Sequence, residues 1–559
     1  MTSKRIFGID LGTTYSCIAY VDDNGKAVVV PNADNDLTTP SVVHFESAEN
    51  IVVGKQAKNA AKIDGDRVAA FVKRSMGDPS FAFAVDGKQY KPEEVSSFVL
   101  RKLVGDAAQA LGEEISDVVI TCPAYFGANE REATRNAGKL AGLNVRGILN
   151  EPTAAAICYG SDRQSSDKVV LVYDLGGGTF DITMIAIKQG SIEVIYTDGN
   201  HNLGGKDWDD RLTNYFAEEF MAKHPTKGDP RDDAHSLQDI ANIAEEAKKA
   251  LSQREKYPLM VTHGGERARV EITREKLEEL TADLLEQTIE LTKHVLEEAK
   301  KKGSTHVDQI LLVGGLSKMP CVARRLKETV GIDSQSFEPD LAVAKGAALM
   351  GLKILAGELI KDEIAAQSGT SSEQVDLEKV DARTIEEAAR KASSRAGTVL
   401  RLPSKDLAAA ARRKIVNVCS KGFGVVVVRD ETGKERMVAH LIHNNTAVPA
   451  EVTETGFGTL VANQRSVHVQ VMEQAGQAES PSLDDNHNLC EGEFELPGGL
   501  PAGAPIHITF RLEEDGTLKL RAVEPSSGRE LKLEAKAEGV MSQQEVEEKK
   551  GMLLKKPVS

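Results

Sequence analysis

Two glycine-rich segments, far apart in the chain, are built on one plan. The first runs Gly8-Ile9-Asp10-Leu11-Gly12-Thr13-Thr14-Tyr15-Ser16, the second Asp174-Leu175-Gly176-Gly177-Gly178-Thr179-Phe180-Asp181. Each follows a hydrophobic, strand-like run and sets Asp, Gly and Thr into a tight turn. Glycine lets the backbone approach a phosphate and present N–H groups to it. Threonine hydroxyls add donors, and the leading aspartate suits hydrated Mg²⁺, a hard cation that takes oxygen ligands and keeps its waters. One such loop would be weak evidence, since glycine turns are common in hairpins. Two matched loops imply duplicated lobes that clamp one nucleotide between them. A third loop, Val313-Gly314-Gly315-Leu316, follows the run Gln309–Val313 and in the same architecture would pass under the adenosine.

The rest of the first 355 residues fits such lobes. Val-Ile-Leu runs at Arg5–Ile9, Asp117–Thr121, Val169–Tyr173 and Gln309–Val313 suit buried strands. Amphipathic stretches between them, such as Thr273–Lys302, carry apolar residues at helical spacing. Alternation of this kind means an α/β domain. Residues 362–412 change to Ala, Ser, Glu and Arg. There, Thr384 and Glu387 form a capping-box signature for a helix Ile385–Arg395, which Gly397 would stop. Pro403 and Ser404 open a second short helix over about 405–413. This reads as a partly helical connector, with a disordered linker as the rival. From Ile415 to Glu534, short β-rich runs (Gly424–Val428, Met437–Ile442, Ser466–Met472, Ile506–Phe510, Leu518–Ala522) alternate with turns such as "DETG" and "EEDGT". That predicts an all-β sandwich or barrel. Ser542 and Glu545 announce a last helix over 543–554. The divisions expected are 1–360, 361–413, 414–538 and 539–559, within the three or four units that 559 residues allow.

Composition narrows the function. A formal net charge of -16 argues against binding nucleic-acid backbones. The six cysteines, Cys17, Cys122, Cys158, Cys321, Cys419 and Cys490, form no CxxC pair and have no zinc spacing, so they read as reduced. The opening MTSKRIFGIDLG enters a strand at once, and no run has membrane-span length. The expected location is cytoplasmic.

"GIDLGTTYSC", "TCPAYFGANEREAT", "GILNEPTAAAICYG", "YDLGGGTFDIT", "LGGKDWDDRL" and "EPDLAVAKGAA" come in the order and rough spacing of DnaK-type, seventy-kilodalton heat-shock chaperones. The chain resembles that family over residues 4 to about 352. It does so again, on pattern and shorter identities, from Ile415 to about Gly539, including "NNTAVPAEVTETGFGTLVANQRSVHVQV". The resemblance implies an α/β actin-like two-lobed ATPase domain, an all-β sandwich peptide-binding domain and a short C-terminal helix, a truncated lid. It implies ATP/ADP with Mg²⁺, and K⁺ as a further ion. Implied partners are extended hydrophobic polypeptides, a J-domain co-chaperone and a nucleotide-exchange factor.

Roles carry over by position. Lys73, in "FVKRSMG", looks like the family's catalytic lysine, working with Glu151, Asp174 and Thr179. Asp10, Asp174 and Glu151 would hold Mg²⁺ through water. Asp10, Gly12, Thr13, Thr14 and Tyr15 belong to the first phosphate loop; Gly176, Gly177 and Gly178, with Gly204 and Gly205, to the second. Glu245, Lys248, Lys249, Ser252, Gly314, Gly315, Lys318 and Asp340 would complete the nucleotide contacts, although Glu245, Lys248 and Lys249 alone read as an ordinary solvated helix face. Pro123 and Arg131 match the relay between nucleotide state and the second domain. Val425 and Val467 align with the peptide pocket, Val428 and Leu460 with the arch over it; singly, each reads equally well as core.

The departures matter as much. Leu316 and Lys318 stand where the family has Ser and Arg at the adenine face, and Lys206 replaces a Glu. The leucine-rich linker is replaced by Arg413-Lys414-Ile415-Val416-Asn417, and the J-domain-contacting Arg by Gly147, beside Arg146. Burying Lys414 in a groove made for leucine would weaken coupling between the domains. That opens a second reading, a nucleotide-dependent adaptor that binds ATP, rarely turns it over and docks a fixed partner. A sugar kinase or filament protein of the same fold would leave the β domain unexplained.

Overall fold

The expected strands form where Val, Ile and Leu alternate with the loop glycines, and their pairing repeats one plan twice. The structure, a computed structural model, describes residues 5–161, 167–394, 402–428, 435–476, 478–514, 516–535 and 540–559. In the first large sheet, Ile6–Asp10 lies parallel to Asp117–Cys122, which lies parallel to Asn144–Asn150; on its other side it pairs antiparallel with Tyr15–Val21, then Ala27–Val29. In the second, Lys168–Leu175 takes the place of Ile6–Asp10. Gln309–Val313 and Ser334–Ser336 run parallel on one side, and Phe180–Lys188 and Ser191–Asn200 antiparallel on the other. Each glycine loop is thus the tip of a hairpin at the end of its central strand. The fold is mixed α/β with many sheets.

Helix Ala342–Ser368 packs on both Ile6–Asp10 and helix Glu151–Ser161. Its small residues permit the close crossing: a Cβ on Gly346 would sit 1.8 Å from the Ala154 carbonyl oxygen. The expected helix Thr273–Lys302 is two helices, Arg274–Leu280 and Ala282–Lys301. They part at Thr281, whose backbone leaves the helical region at φ -120°, ψ 12°.

Among its described residues the connector carries two helices. Helices Ala382–Ser394 and Ser404–Arg412 pack on Ala342–Ser368 and on each other, burying Ile385, Ala388, Ala389, Leu407 and Ala408. The first starts three residues earlier than expected, because Asp381 and not Thr384 caps it: the Asp381 carboxylate accepts from the Thr384 amide at 3.0 Å and its hydroxyl at 2.7 Å. Gly397 and the "DETG" turn lie outside the described residues.

Beyond the connector, two four-stranded antiparallel sheets share one apolar core, with Phe423, Val471 and Phe494 from one and Ile508, Phe510 and Leu520 from the other. The strand leading into them overturns the expectation about Lys414. Lys414–Val418 adds to the edge of the second large sheet, parallel to Ser191–Asn200, and pairs on its other side with Ala447–Val448. In an extended strand neighbouring side chains face opposite ways. Lys414 therefore stays exposed, 3.9 Å from Glu378, while Ile415 packs against the core; no lysine has to be buried.

The last helix, Gln543–Leu553, has its Ser542–Glu545 capping box, and it packs on helices of the first lobe. Met541, Val546 and Leu553 join the first-lobe core, and Arg101 donates to the Leu553 and Lys556 carbonyls at 2.7 Å. Among the described residues no helix is long and apolar enough to cross a membrane.

Candidate nucleotide site

The two glycine loops meet tip to tip. A Cβ on Gly177 would fall 2.3 Å from the Thr14 hydroxyl oxygen, and one on Gly178 would fall 2.3 Å from the Thr13 side chain. Only backbone without side chains lets threonine-bearing and glycine-bearing loops approach this closely. Between the lobes opens a cavity of about 510 Å³ lined by Asp10, Gly12, Thr13, Thr14, Tyr15, Lys73, Glu151, Asp174, Gly176, Gly177 and Thr179. Gly205, Glu245, Lys248, Lys249, Ser252, Gly314, Gly315, Leu316, Lys318 and Asp340 line the remainder. Residues expected from opposite ends of the first 345 positions therefore share one cleft. Gly178 and Gly204, counted with the nucleotide contacts, do not line it; they pack against each other behind the loop, where a Gly204 Cβ would meet the Gly178 backbone at 2.7 Å.

At the cleft floor, Lys73 donates to Glu151 at 2.5 Å, both side chains nearly buried. Lys73 sits on a 3₁₀ turn, Val72–Ser75, and Glu151 opens helix Glu151–Ser161. Asp174 is buried and Asp10 half-buried beside this pair. Burial, then the Glu151 carboxylate, pushes the Asp10 carboxyl up to about 7, and the same causes raise Asp174 well above the carboxylate range. Burial opposes the charge on Lys73, but Glu151 and Asp10 outweigh it and its pKa is raised. Asp181, at the far end of the second loop, is likewise pushed up to about 7, by burial first and Glu151 second, and accepts from the Tyr125 amide. Several carboxyls thus surround one ammonium, a donor set short of positive charge. Among the described residues no three such groups are spaced to ligate a metal directly.

Ion pairs bridge the mouth. Glu245 pairs with Lys58 from the first lobe and with Lys249 on its own helix, and the Tyr15 hydroxyl accepts from Lys249 at 2.8 Å. Burial would raise Glu245, but both lysines outweigh it and hold its carboxyl down at about 2. Lys248 donates to the Gly205 carbonyl and to Asp209, and Lys318 pairs with Asp340. Lys206 finds a new partner, Asp210, one helical turn on. Lys58, Phe71 and Asp209 were not singled out from sequence; Asp209 lies within the quoted "LGGKDWDD" motif, but nothing local marks Lys58.

Of the two positions aligned with the relay, Arg131 lies beside the β half, its Cδ 3.3 Å from where a Cβ on Gly516 would sit. Pro123 ends the strand Asp117–Cys122, and Arg131 donates to Asn150 at 2.7 Å and to the Phe126 carbonyl at 2.9 Å. Next to them, Glu473 of the β half accepts from the Ala128 amide at 3.0 Å, Tyr125 donates to the Gly476 carbonyl, and Lys421 lies 3.9 Å over the Tyr125 ring. Thr153 donates to Asn417 at 2.9 Å. Burial, then Glu130, pushes Glu473 up to about 7 from an ordinary 4.5. The docked arrangement therefore binds a proton that the undocked one releases. Its contribution is full below pH 4.5 and is lost as pH rises through 7. Docking, followed by hydrogen exchange of the Ile415–Val418 amides, is expected to be tighter at pH 6 than at pH 8, and Glu473→Gln should flatten that difference.

The four aligned peptide positions separate. Val425 is 2% exposed in the shared core, and Val467 is half-buried against it. Val428 and Leu460 are 40% and 37% exposed.

The sequence model of the Hsp70 family, described as Hsp70 protein, matches residues 6–82, 77–368 and 427–556. The interval between the last two matches holds the connector helices and the linker strand. The chain is 35% identical over 558 residues to the chaperone protein DnaK of Thermosipho melanesiensis, covering 98% of this chain and 83% of the relative. It is 36% identical over 559 residues to the chaperone protein DnaK of Thermotoga petrophila, with the same coverage.

Proposed function

The chain belongs to the Hsp70 family, and on that premise we propose that it is an ATP-dependent molecular chaperone. It hydrolyses ATP and binds unfolded polypeptide. The observation that carries the reading is the buried Lys73–Glu151 pair at the floor of a cleft lined by both glycine loops. The two repeated sheets correspond to the lobes of an actin-like ATPase, and the paired four-stranded sheets to a peptide-binding sandwich.

In this reading the loop amides around Gly12 and Gly176–Gly177 cradle phosphates, with the Thr13 and Thr14 hydroxyls. Lys73 orients the attacking water and offsets charge on the terminal phosphate, while Glu151 fixes the lysine's position. Thr179 positions the phosphate or the water. Mg²⁺, when bound, supplies the positive charge that phosphates and buried carboxylates both need, and Asp10, Asp174 and Glu151 would hold its water shell. The raised carboxyls and the absence of direct three-group ligation among the described residues fit an ion held through water. Val467, Val428 and Leu460 serve an extended apolar peptide, with Val425 behind them. The thiols of Cys17 and Cys419 donate to the Asp340 and His443 carbonyls, which supports a reducing, cytoplasmic setting. The adaptor reading is not favoured, because the hydrolytic set is complete.

The deciding experiment is ATP turnover with and without an unfolded apolar peptide; turnover that is absent, or indifferent to peptide, would overturn the reading. A smaller prediction concerns the adenine face. Lys318 pairs with Asp340 across the rim, and arginine could keep that pair while laying its planar head on a base. Lys318→Arg is expected to tighten ATP binding by about 0.5–1 kcal/mol in calorimetry.

A further inference from the structure

The 3₁₀ turn that carries Lys73 reaches in two directions. Lys73 points to Glu151 in the first lobe. Its neighbour Arg74 points into the second: its Nε donates to the Gly178 carbonyl at 2.8 Å, and its two terminal nitrogens grip the Asp207 carboxylate at 2.6 and 3.3 Å. Asp207 also accepts from the Gly204 amide at 2.7 Å, at the start of helix Gly205–Lys223. That helix start is bonded to the second phosphate loop, Gly205 N to Gly176 O at 2.9 Å and Lys206 N to Gly177 O at 2.8 Å. Arg74, Asp207, Gly204 and Gly178 thus form one closed network behind the loop. Arg74 does not line the cleft. The turn begins at Phe71, a non-glycine residue at φ 58°, a conformation that persists only where the surroundings enforce it.

We infer that Arg74 is a positioning residue: it fastens the Lys73 turn to the second lobe's phosphate loop, so that Lys73 reaches its working place only when the lobes are closed on each other. Arginine suits the task because its planar fork grips a carboxylate through two nitrogens and still leaves Nε for a carbonyl; a lysine ammonium is a single point charge on a flexible stem and cannot reproduce that two-pronged geometry. A displacement of about 1 Å at a reacting group costs on the order of 10²-fold in rate. The inference rests on the ATPase reading above.

The test is single-turnover hydrolysis of ATP, with ATP affinity measured in parallel, on the full chain carrying Arg74→Ala, Arg74→Lys or Asp207→Asn, beside wild type and Lys73→Ala. Arg74→Ala is expected to lose on the order of 10²-fold in the single-turnover rate while its ATP affinity shifts less than about threefold. Arg74→Lys should recover only part of the loss. Millimolar guanidinium added to Arg74→Ala should recover rate, which a general loss of folding would not allow. Asp207→Asn keeps the carbonyl contact and should fall between; it carries the same test should Arg74→Ala fold poorly. Arg74→Ala turning over at wild-type rate, while Lys73→Ala does not, overturns the inference alone. So does a loss of affinity in proportion to the loss of rate. Wild type no faster than Lys73→Ala takes down the ATPase reading and this inference with it.

Discussion

Lys73→Ala is expected to lower ATP turnover by 10²–10³-fold, about 2.7–4 kcal/mol of transition-state stabilisation, with ATP affinity largely kept. The size follows from where the ammonium sits. It is 6% exposed, in contact with Glu151 and surrounded by the Asp10 and Asp174 carboxyls, so its charge acts where water screens little. Binding should survive because the loop amides and threonines of both lobes hold the phosphates independently of Lys73. Removing it also leaves Glu151 without its ion-pair partner in a buried place, a costly arrangement. Lys73→Met, which keeps volume without charge, therefore belongs beside the alanine variant. Single-turnover rates and calorimetric affinities separate the two effects. A variant that hydrolyses ATP as fast as wild type would remove the ground for calling this chain an enzyme.

What the sequence made legible was local. The glycine loops could be read because phosphate contact needs residues without side chains at fixed positions. The strands could be read because buried parallel strands are continuous Val-Ile-Leu runs. The Ser542–Glu545 cap was legible for the same reason: both partners lie within one turn. What escaped depends on partners distant in the chain. Lys58 and Arg74 are ordinary surface-type residues until the second lobe brings Glu245 and Asp207 to them. The break at Thr281 is one residue's backbone leaving the helical region, and the helical period alone does not register it. Asp381 was overlooked because Thr384 offers the same capping pattern three residues later. The capping signature indicated a helix near Ile385, but not that Ile385, Ala388 and Ala389 would rest on helix Ala342–Ser368.

The linker shows most clearly how composition misled. Lys414 and Asn417 look incompatible with an apolar docking groove, yet the strand alternates, and alternation sends Lys414 to solvent and Ile415 inward. Asn417 accepts from Thr153. Docking is further supported by Glu473, Tyr125 and Lys421 across the same face. Communication between the two halves is therefore expected to operate: peptide affinity should differ by tenfold or more between ATP and ADP, about 1.4 kcal/mol, within the usual range of coupling energies. Ile415→Asp places a carboxylate against Ile192 and its neighbours, at a cost of several kcal/mol if the strand stays docked. That exceeds the coupling energy, so the strand should leave the sheet, and the ATP-to-ADP ratio of peptide affinities should collapse to within about twofold of unity. Basal hydrolysis should persist, because the cleft residues are untouched. Lys414→Leu is the discriminating partner. With its side chain in solvent, the substitution should leave the ratio within about twofold of wild type; a ratio that instead rises tenfold would mean that Lys414 is buried in the coupled state and that the strand docks in another register. An Ile415→Asp protein with an unchanged ratio would show that coupling runs through the Glu473 face without the linker strand.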